Sequence, residues 1–433
     1  MGRRGFTTRQ VHERAPQAAA TPRATPIYLT AGFEFDEYEQ AAAHFGQGEG
    51  YAYTRIGNPT IETVEHTLAA LEGGSQALLL ATGQAATSVA LLALLESGQH
   101  VVASAHIYEG TRGLLRDNLS RLGITTTFVD DIRDLDAWEA AIRPETRVLF
   151  AESISNAANR LIDTTALADV ARRHGIPLVI DNTFATPYLI RPLELGADVV
   201  IHSTSKFLAG HGSVLGGAIV DSGRLDTDRA AELFPHLAAP GRGDAPSLLE
   251  RTGGDARIAY AREAVAARFG PTPSPLNAFL IGQGIETLSL RVARQSANAL
   301  AVAQWLQDRP EVESVDYVGL PSHPDHDIAV RDLPDGFGSV FTLTLRGDAD
   351  TARRFVEALE VFTHMTHLGD VRSLVLHPAS TSHAFLSDAD RAAVGVHPGT
   401  LRVSIGIEDA ADLIDDLAQA LAAASDVSVA VVA

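Results

Sequence analysis

Two hydrophobic periods alternate along the first half of the chain. Between 60 and 73 the apolar positions Ile61, Val64, Leu68 and Leu71 fall three and four apart, and Gly73 follows them. This predicts a helix entered through the Asn58–Pro59 turn, with Thr60 as its cap and Gly73 as its stop. The runs that begin at Ala77, His100, Thr125, Arg147, Pro177 and Val199 are instead short and continuous, rich in Val, Ile and Leu. Such runs predict strands buried on both faces. Because they alternate with helical stretches from 77 to 220, they predict a mainly parallel sheet covered by helices on both sides, with polar groups gathered at the strand ends.

After 220 the pattern changes. Residues 221–270 are charged and glycine-bearing, and read as an insertion running over the surface. Pro271, Pro273 and Pro275 mark a boundary, and one long helix is predicted from Asn277 to about Gln307. Alternating strands such as SVFTLTLRG and a closing helix within DAADLIDDLAQALAAA predict a smaller α/β domain. The expected organisation is an arm and loop over 1–60, in which Pro22 and Pro26 favour extended chain, a large domain over 61–275, and a small domain over 276–433.

Composition narrows the function. The 433 residues are 45% hydrophobic and 20% charged, which describes a globular protein of two or three domains. A formal charge of −20 argues against nucleic acid or anionic membrane as a partner, and means that a small anion needs local arginines. The chain has no cysteine and therefore no thiolate chemistry; with no apolar leader behind Arg3 and Arg4, a cytoplasmic location is expected.

The chemistry concentrates at 197–217, ADVVIHSTSKFLAGHGSVLGG. A strand ends here in small hydroxyl residues, one lysine and several glycines. Desolvation at a strand end lowers the pKa of Lys206 and suits its amine to forming a Schiff base with an aldehyde cofactor, while the hydroxyls of Ser203 and Ser205 suit phosphate oxygens. Alone, S-x-S-K is more often an ordinary surface loop. Upstream, however, PLVIDNTFATPY ends another apolar run on Asp181, a helix-sized interval before the lysine. A lysine for the aldehyde and an acid for the pyridinium nitrogen are the layout of pyridoxal 5'-phosphate enzymes. Thr82, Gly83 and Gln84 lie where a strand turns into a helix, an arrangement that offers N–H groups to phosphate. Tyr108 follows another strand and can stack on a flat ring.

On YTRIGNPT, VIDNTFATPY, HSTSKFLAGHG, SPLNAFL and HPASTSH, the chain resembles the cysteine/methionine-metabolism family of pyridoxal-phosphate enzymes, and within it the O-acetylhomoserine sulfhydrylases. The resemblance implies an aspartate-aminotransferase-like subunit (fold type I) working as a homodimer, commonly paired into a homotetramer. It implies that Tyr53 and Arg55 reach the cofactor phosphate of a neighbouring subunit, that Tyr108 stacks on the pyridine, and that Asn156 lies near the 3'-oxygen. It implies that Arg402, in RVSIGIED, holds the substrate carboxylate, a role suited to an arginine fork. Relatives usually have glycine at Glu109, proline at Ala157 and a small polar residue at His367. His377 and His383 lack metal-ligand spacing and read as structural.

The implied reaction is γ-replacement on O-acetyl-L-homoserine by sulfide or a small thiol. The same scaffold also serves cystathionine γ-synthases and lyases, although Gly110 stands where methionine γ-lyases carry a cysteine. A non-catalytic phosphate-binding module is the alternative outside enzymes.

Overall fold

Apolar runs without a polar face can be buried only in the middle of a layered core, and the computed structural model places them there. The structure describes residues 4–13, 22–47, 50–156, 159–241, 243, 245–382, 384, 387, 391 and 395–425. Strands β1 (Gln76–Leu80), β2 (His100–Ser104), β3 (Thr125–Val129), β4 (Thr146–Glu152), β5 (Leu178–Asp181), β6 (Val199–His202) and β7 (Gly217–Asp221) form one sheet in the order β1-β7-β6-β5-β4-β2-β3. β7 pairs antiparallel with both of its neighbours, while the pairs from β6 to β3 are parallel.

Successive strand residues feed two different cores. Leu149, Ile180 and Val200 belong to one, with Val64 and Leu68 from the helix Pro59–Glu72. Phe150, Val179 and Ile201 belong to the other, with Val89 and Leu94 from the helix Gly83–Leu94. Full burial of each such side chain contributes about 1.5–3 kcal/mol, which is why a continuous apolar run is stable here and nowhere on a surface.

Three expectations are corrected. The helix Pro59–Glu72 is capped by Asn58, whose Oδ1 accepts from Thr60 N at 3.0 Å, with Pro59 at the first helical position; Gly73 does end it, at φ 79°. The Thr60 hydroxyl is used otherwise: it donates to Pro26 O and accepts from Tyr28 N, both at 2.9 Å, and so ties down the arm. The long helix after the prolines is two helices, Pro275–Ile285 and Leu288–Gln307. Gly284 packs so closely on the Leu208 and Ala209 carbonyls that a Cβ would lie 2.4 Å from either oxygen, and the chain turns immediately afterwards.

The segment 221–270 is not a surface excursion. Its short helices bury Ala230, Phe234, Leu237, Ile258 and Val265 in the second core. Two of its arginines are held in ion pairs: Arg257 bonds Asp221 at 2.9 Å and Asp198 at 3.3 Å, and Arg262 bonds Glu65 at 2.8 Å.

The smaller sheet joins β8 (Val312–Asp316), β9 (Val340–Leu345), β10 (Thr363–His364), β11 (Leu374–Leu376) and β12 (Thr400–Ser404) in the order β10-β11-β12-β9-β8. Leu401 and Val403 enter its core with Phe341, Phe355 and Leu417. Thr400, Arg402 and Ser404 on the other face of β12 are buried as well, and of these Arg402 reaches Asn156 beside the large sheet. Among the described residues, no helix is long and apolar enough to cross a membrane.

Candidate active site

β6 ends at His202, and the next residues wind into a tight turn in which Lys206 N donates to Ser203 O at 3.2 Å and Gly210 N to Lys206 O at 2.8 Å. The turn is clamped from outside by Arg291, which donates to Phe207 O at 2.8 Å, Leu208 O at 3.4 Å and Gly284 O at 2.7 Å. Sequence reasoning overlooked Arg291; its signal is a cation on the face shared by Leu288, Val292, Gln295 and Ala299, all buried. Burial, and then the nearby charge of Arg402, lower the Lys206 pKa to about 8.

Asp181 ends β5 and lies opposite Glu152 at the end of β4. It accepts from Thr183 N at 3.0 Å and Thr183 Oγ1 at 2.6 Å, and that hydroxyl in turn accepts from Ser203 N at 2.8 Å. A single threonine therefore joins the acid to the start of the lysine turn. Burial raises the pKa of Asp181, against the pull of its Thr183 bonds and of His202. His202 is itself held by buried Glu72 at 2.6 Å, which also accepts from Asn182 at 3.0 Å.

Glu152 is a second overlooked residue. It accepts from Tyr108 N at 2.6 Å and Asn156 N at 2.8 Å, and so fixes two of the expected site residues at once. Burial and the neighbouring Asp181 carboxylate raise its pKa. The signal was available, since VLFAE ends an apolar run on an acid just as LVID does.

The helix Gly83–Leu94 starts beside this turn. Thr82 caps Ala85 N at 3.0 Å, leaving the first-turn N–H groups of Gly83 and Gln84 unused by the helix. A Cβ on Gly83 would lie 2.7 Å from the Cβ of Ser203, so the glycine is required for the close approach. Ser203 Oγ has no protein partner among the described residues. The Ser205 hydroxyl is engaged, donating to Gly216 O at 3.1 Å and accepting from Gly216 N at 2.9 Å. Gln84 and Tyr108 meet over Gly110, where a Cβ would lie 2.4 Å from the tyrosine ring.

From the small domain, Arg402 enters almost fully buried, not exposed on a strand face as its alternating context suggests. Its guanidinium donates to Asn156 Oδ1 at 3.4 Å and to His367 O at 3.2 Å. Burial lowers its pKa to about 10. The His367 ring lies 3.1 Å from Lys206 Nζ through Nδ1. Glu109 lies near the Arg116 guanidinium.

Tyr53 and Arg55 are exposed on their loop, the guanidinium 5.5 Å from the tyrosine ring centre and donating to Ala267 O. Among the described residues neither bonds to the Lys206 cluster. His377 ties Ser380 Oγ at 2.8 Å to Pro398 O at 2.9 Å. His383 and Ala157 lie outside the described residues.

A depressed amine, a buried acid on the adjoining strand and a helix N-terminus behind a glycine seam match the aldehyde, ring nitrogen and phosphate of one cofactor. This fold and site define a pyridoxal-phosphate enzyme. The chain belongs to the Cys/Met metabolism PLP-dependent enzyme family, whose model matches residues 7–422. It is 40% identical to an O-acetyl-L-homoserine sulfhydrylase of Corynebacterium glutamicum over 97% of each chain. It is also 40% identical to an O-succinylhomoserine sulfhydrylase of Pseudomonas aeruginosa, over 92% of this chain and 90% of that one. A crystal structure described as an O-acetylhomoserine (thiol)-lyase of Campylobacter jejuni, with a pyridoxyl phosphate group on a lysine, is similar at TM-score 0.92 and 33% identity, covering 96% of this chain and 99% of that one.

Proposed function

We propose that the protein catalyses γ-replacement on O-acetyl-L-homoserine, exchanging acetate for sulfide or a small thiol and giving homocysteine or methionine. The observation that carries this reading is the meeting of Lys206 and Arg402 in one buried cluster. A proton-moving amine and a carboxylate fork, brought from different domains, are what an α-amino acid needs at Cα and at its carboxylate.

Pyridoxal phosphate, when bound, supplies an electron sink for the charge left when Cα loses its proton. Asp181 would hold the proton on its ring nitrogen, and the N–H groups of Gly83 and Gln84 with the Ser203 hydroxyl would hold its phosphate; Ser205 would join them only by giving up its bonds to Gly216. Tyr108 would cover the ring, and Asn156 would lie near its 3'-oxygen. Arg402 binds the carboxylate. Lys206 Nζ takes the proton from Cα, moves protons at Cβ as acetate departs from Cγ, and returns a proton after sulfur has added at Cγ. Gly110 supports replacement over lysis, since methionine γ-lyases carry a cysteine at that place.

The site is completed by a second subunit. The exposure of Tyr28, Leu29, Tyr53 and Ile56 along the arm and loop supports a homodimer in which Tyr53 and Arg55 serve the partner's phosphate, with dimers paired into a cytoplasmic homotetramer. The succinyl ester is the second reading, favoured by the identity to the Pseudomonas relative. A product assay by mass spectrometry, with O-acetyl-, O-succinyl- and O-phosphohomoserine each set against sulfide, methanethiol and cysteine, tests these assignments. Homocysteine and acetate from the acetyl ester are expected; cystathionine or 2-oxobutyrate as the main product would overturn the reading.

A further inference from the structure

Among the described residues, the amine of Lys206 has a single hydrogen-bond partner, Nδ1 of His367 at 3.1 Å. His367 touches the site a second time, because its carbonyl accepts from Arg402 Nη2 at 3.2 Å. The segment that carries it is held on several sides. Gly369 N donates to Ser404 Oγ at 3.0 Å, Val371 N to Gly210 O at 2.9 Å, and Gln295 Nε2 to Asp370 O at 2.7 Å. Gly369 lies against the lysine turn so closely that a Cβ would come within 2.7 Å of Phe207 N. The backbone next to His367 is thus pinned beside both cations.

A protonated lysine has only donors, so toward the ammonium form of Lys206 Nδ1 offers its lone pair and the ring proton sits on Nε2. The groups facing the ring keep it in that neutral form: burial, Lys206 and Arg402 all oppose a second proton and Asp370 alone favours one, so the imidazole pKa is lowered to about 4. Nε2 is buried and has no partner among the described residues, so the ring is held through Nδ1 alone.

We propose that His367 is a positioning residue for Lys206, its ring accepting from Nζ whenever the amine is free while its carbonyl holds Arg402, so that one residue sets the separation between the proton-moving amine and the carboxylate-binding guanidinium. This rests on the roles given to Lys206 and Arg402 above. The two contacts are separable because one is made by the side chain and the other by the backbone. Removing the ring frees the amine and leaves the guanidinium bonded, so the proton-transfer step suffers while the substrate keeps its anchor.

The test compares H367L, which fills space without an acceptor, with H367N, whose Oδ1 can take the place of Nδ1. H367L is expected to lower kcat by roughly tenfold or more, the scale of a lost orientation, with KM nearly unchanged, and H367N to recover most of the loss. A second readout does not depend on turnover: stopped-flow absorbance of pyridoxal phosphate added to the apo-protein. H367L should slow uptake without lowering final occupancy, and H367N should restore the rate.

Equal losses in H367N and H367L would overturn the inference, as would an H367L protein indistinguishable from wild type. Wild-type protein that takes up no pyridoxal phosphate would instead refute the reading of the site itself. Circular dichroism of the apo-proteins checks folding; if H367L does not fold, H367A against H367N carries the same comparison.

Discussion

Lys206 is both the group that would join the cofactor aldehyde and the one that would move protons on the substrate. Lys206→Ala should therefore still bind pyridoxal phosphate through its phosphate contacts but lose almost all turnover. Bound chromophore and steady-state rate measure the two separately, and turnover near wild type would sink the assignment. Arg402→Ala removes a charged fork and should cost about 1.5–3 kcal/mol of substrate binding, a rise in KM of roughly ten- to a hundredfold, with cofactor content unchanged. Loss of cofactor at unchanged KM would move Arg402 out of the substrate site.

The pKa of about 8 at Lys206 has its own consequence. Only the neutral amine attacks an aldehyde, so uptake of pyridoxal phosphate by the apo-protein should fall about tenfold per pH unit below 8 and level off above it. The sign for stability is the same. Between about 8 and the ordinary lysine range the unfolded chain holds a proton that the folded one lacks, so this group makes the apo-protein more stable as pH rises through that window. A rate independent of pH from 6 to 9 would contradict the desolvated amine.

Elements matter here through how they are pinned. The lysine turn has few hydrogen bonds of its own, and Arg291 on the helix Leu288–Gln307 adds two to its carbonyls and a third to Gly284 O. Arg291→Met would leave buried carbonyls without donors, at about 1–3 kcal/mol for each group left unsatisfied. The apo-protein should melt at a lower temperature, and uptake of pyridoxal phosphate should slow, both readable by circular dichroism and absorbance. An unchanged melting temperature with unchanged uptake would mean that the turn holds itself. The helix Gly83–Leu94 and β5 meet the turn differently, one through the glycine seam at Gly83 and Ser203, the other through Thr183 bridging Asp181 to Ser203 N. Three elements thus converge on a few residues of one loop, which is how a loop becomes rigid enough to present a reacting amine.

At the scale of the whole molecule, the exposed Tyr53 and Arg55 decide whether one subunit is enough. An acidic chain must bring positive charge to a phosphate, and Arg55 can do so only if the loop folds over a partner's site. Arg55→Ala should weaken pyridoxal phosphate binding. Mixing it with Lys206→Ala is sharper, since a heterodimer assembles one site with both defects and one with neither. Activity should reappear after subunit exchange; no recovery in verified heterodimers would place Arg55 within its own subunit or outside the site.

Local chemistry was legible in the sequence because its carriers are neighbours along the chain. Strand runs, the Gly73 stop, the Thr82–Gln84 turn, and Asp181 and Lys206 at the ends of apolar runs each depend on a few consecutive residues. What depends on strand order and domain packing was not legible. Glu152 joins Asp181 only because β4 pairs with β5, and Arg402 reaches Asn156 across 246 residues of sequence. His367 meets Lys206 across 161. The break after Ile285 answers to the Leu208 and Ala209 carbonyls, which no helical period records. Arg402 on the polar face of β12 is buried where it meets Asn156, and periodicity reports which side of a strand is apolar, not what lies against the other. A sequence pattern encodes the faces an element presents; the partner on each face is chosen by the free energy of the whole packed core, and here that choice assembled the lysine, the fork and the histidine between them.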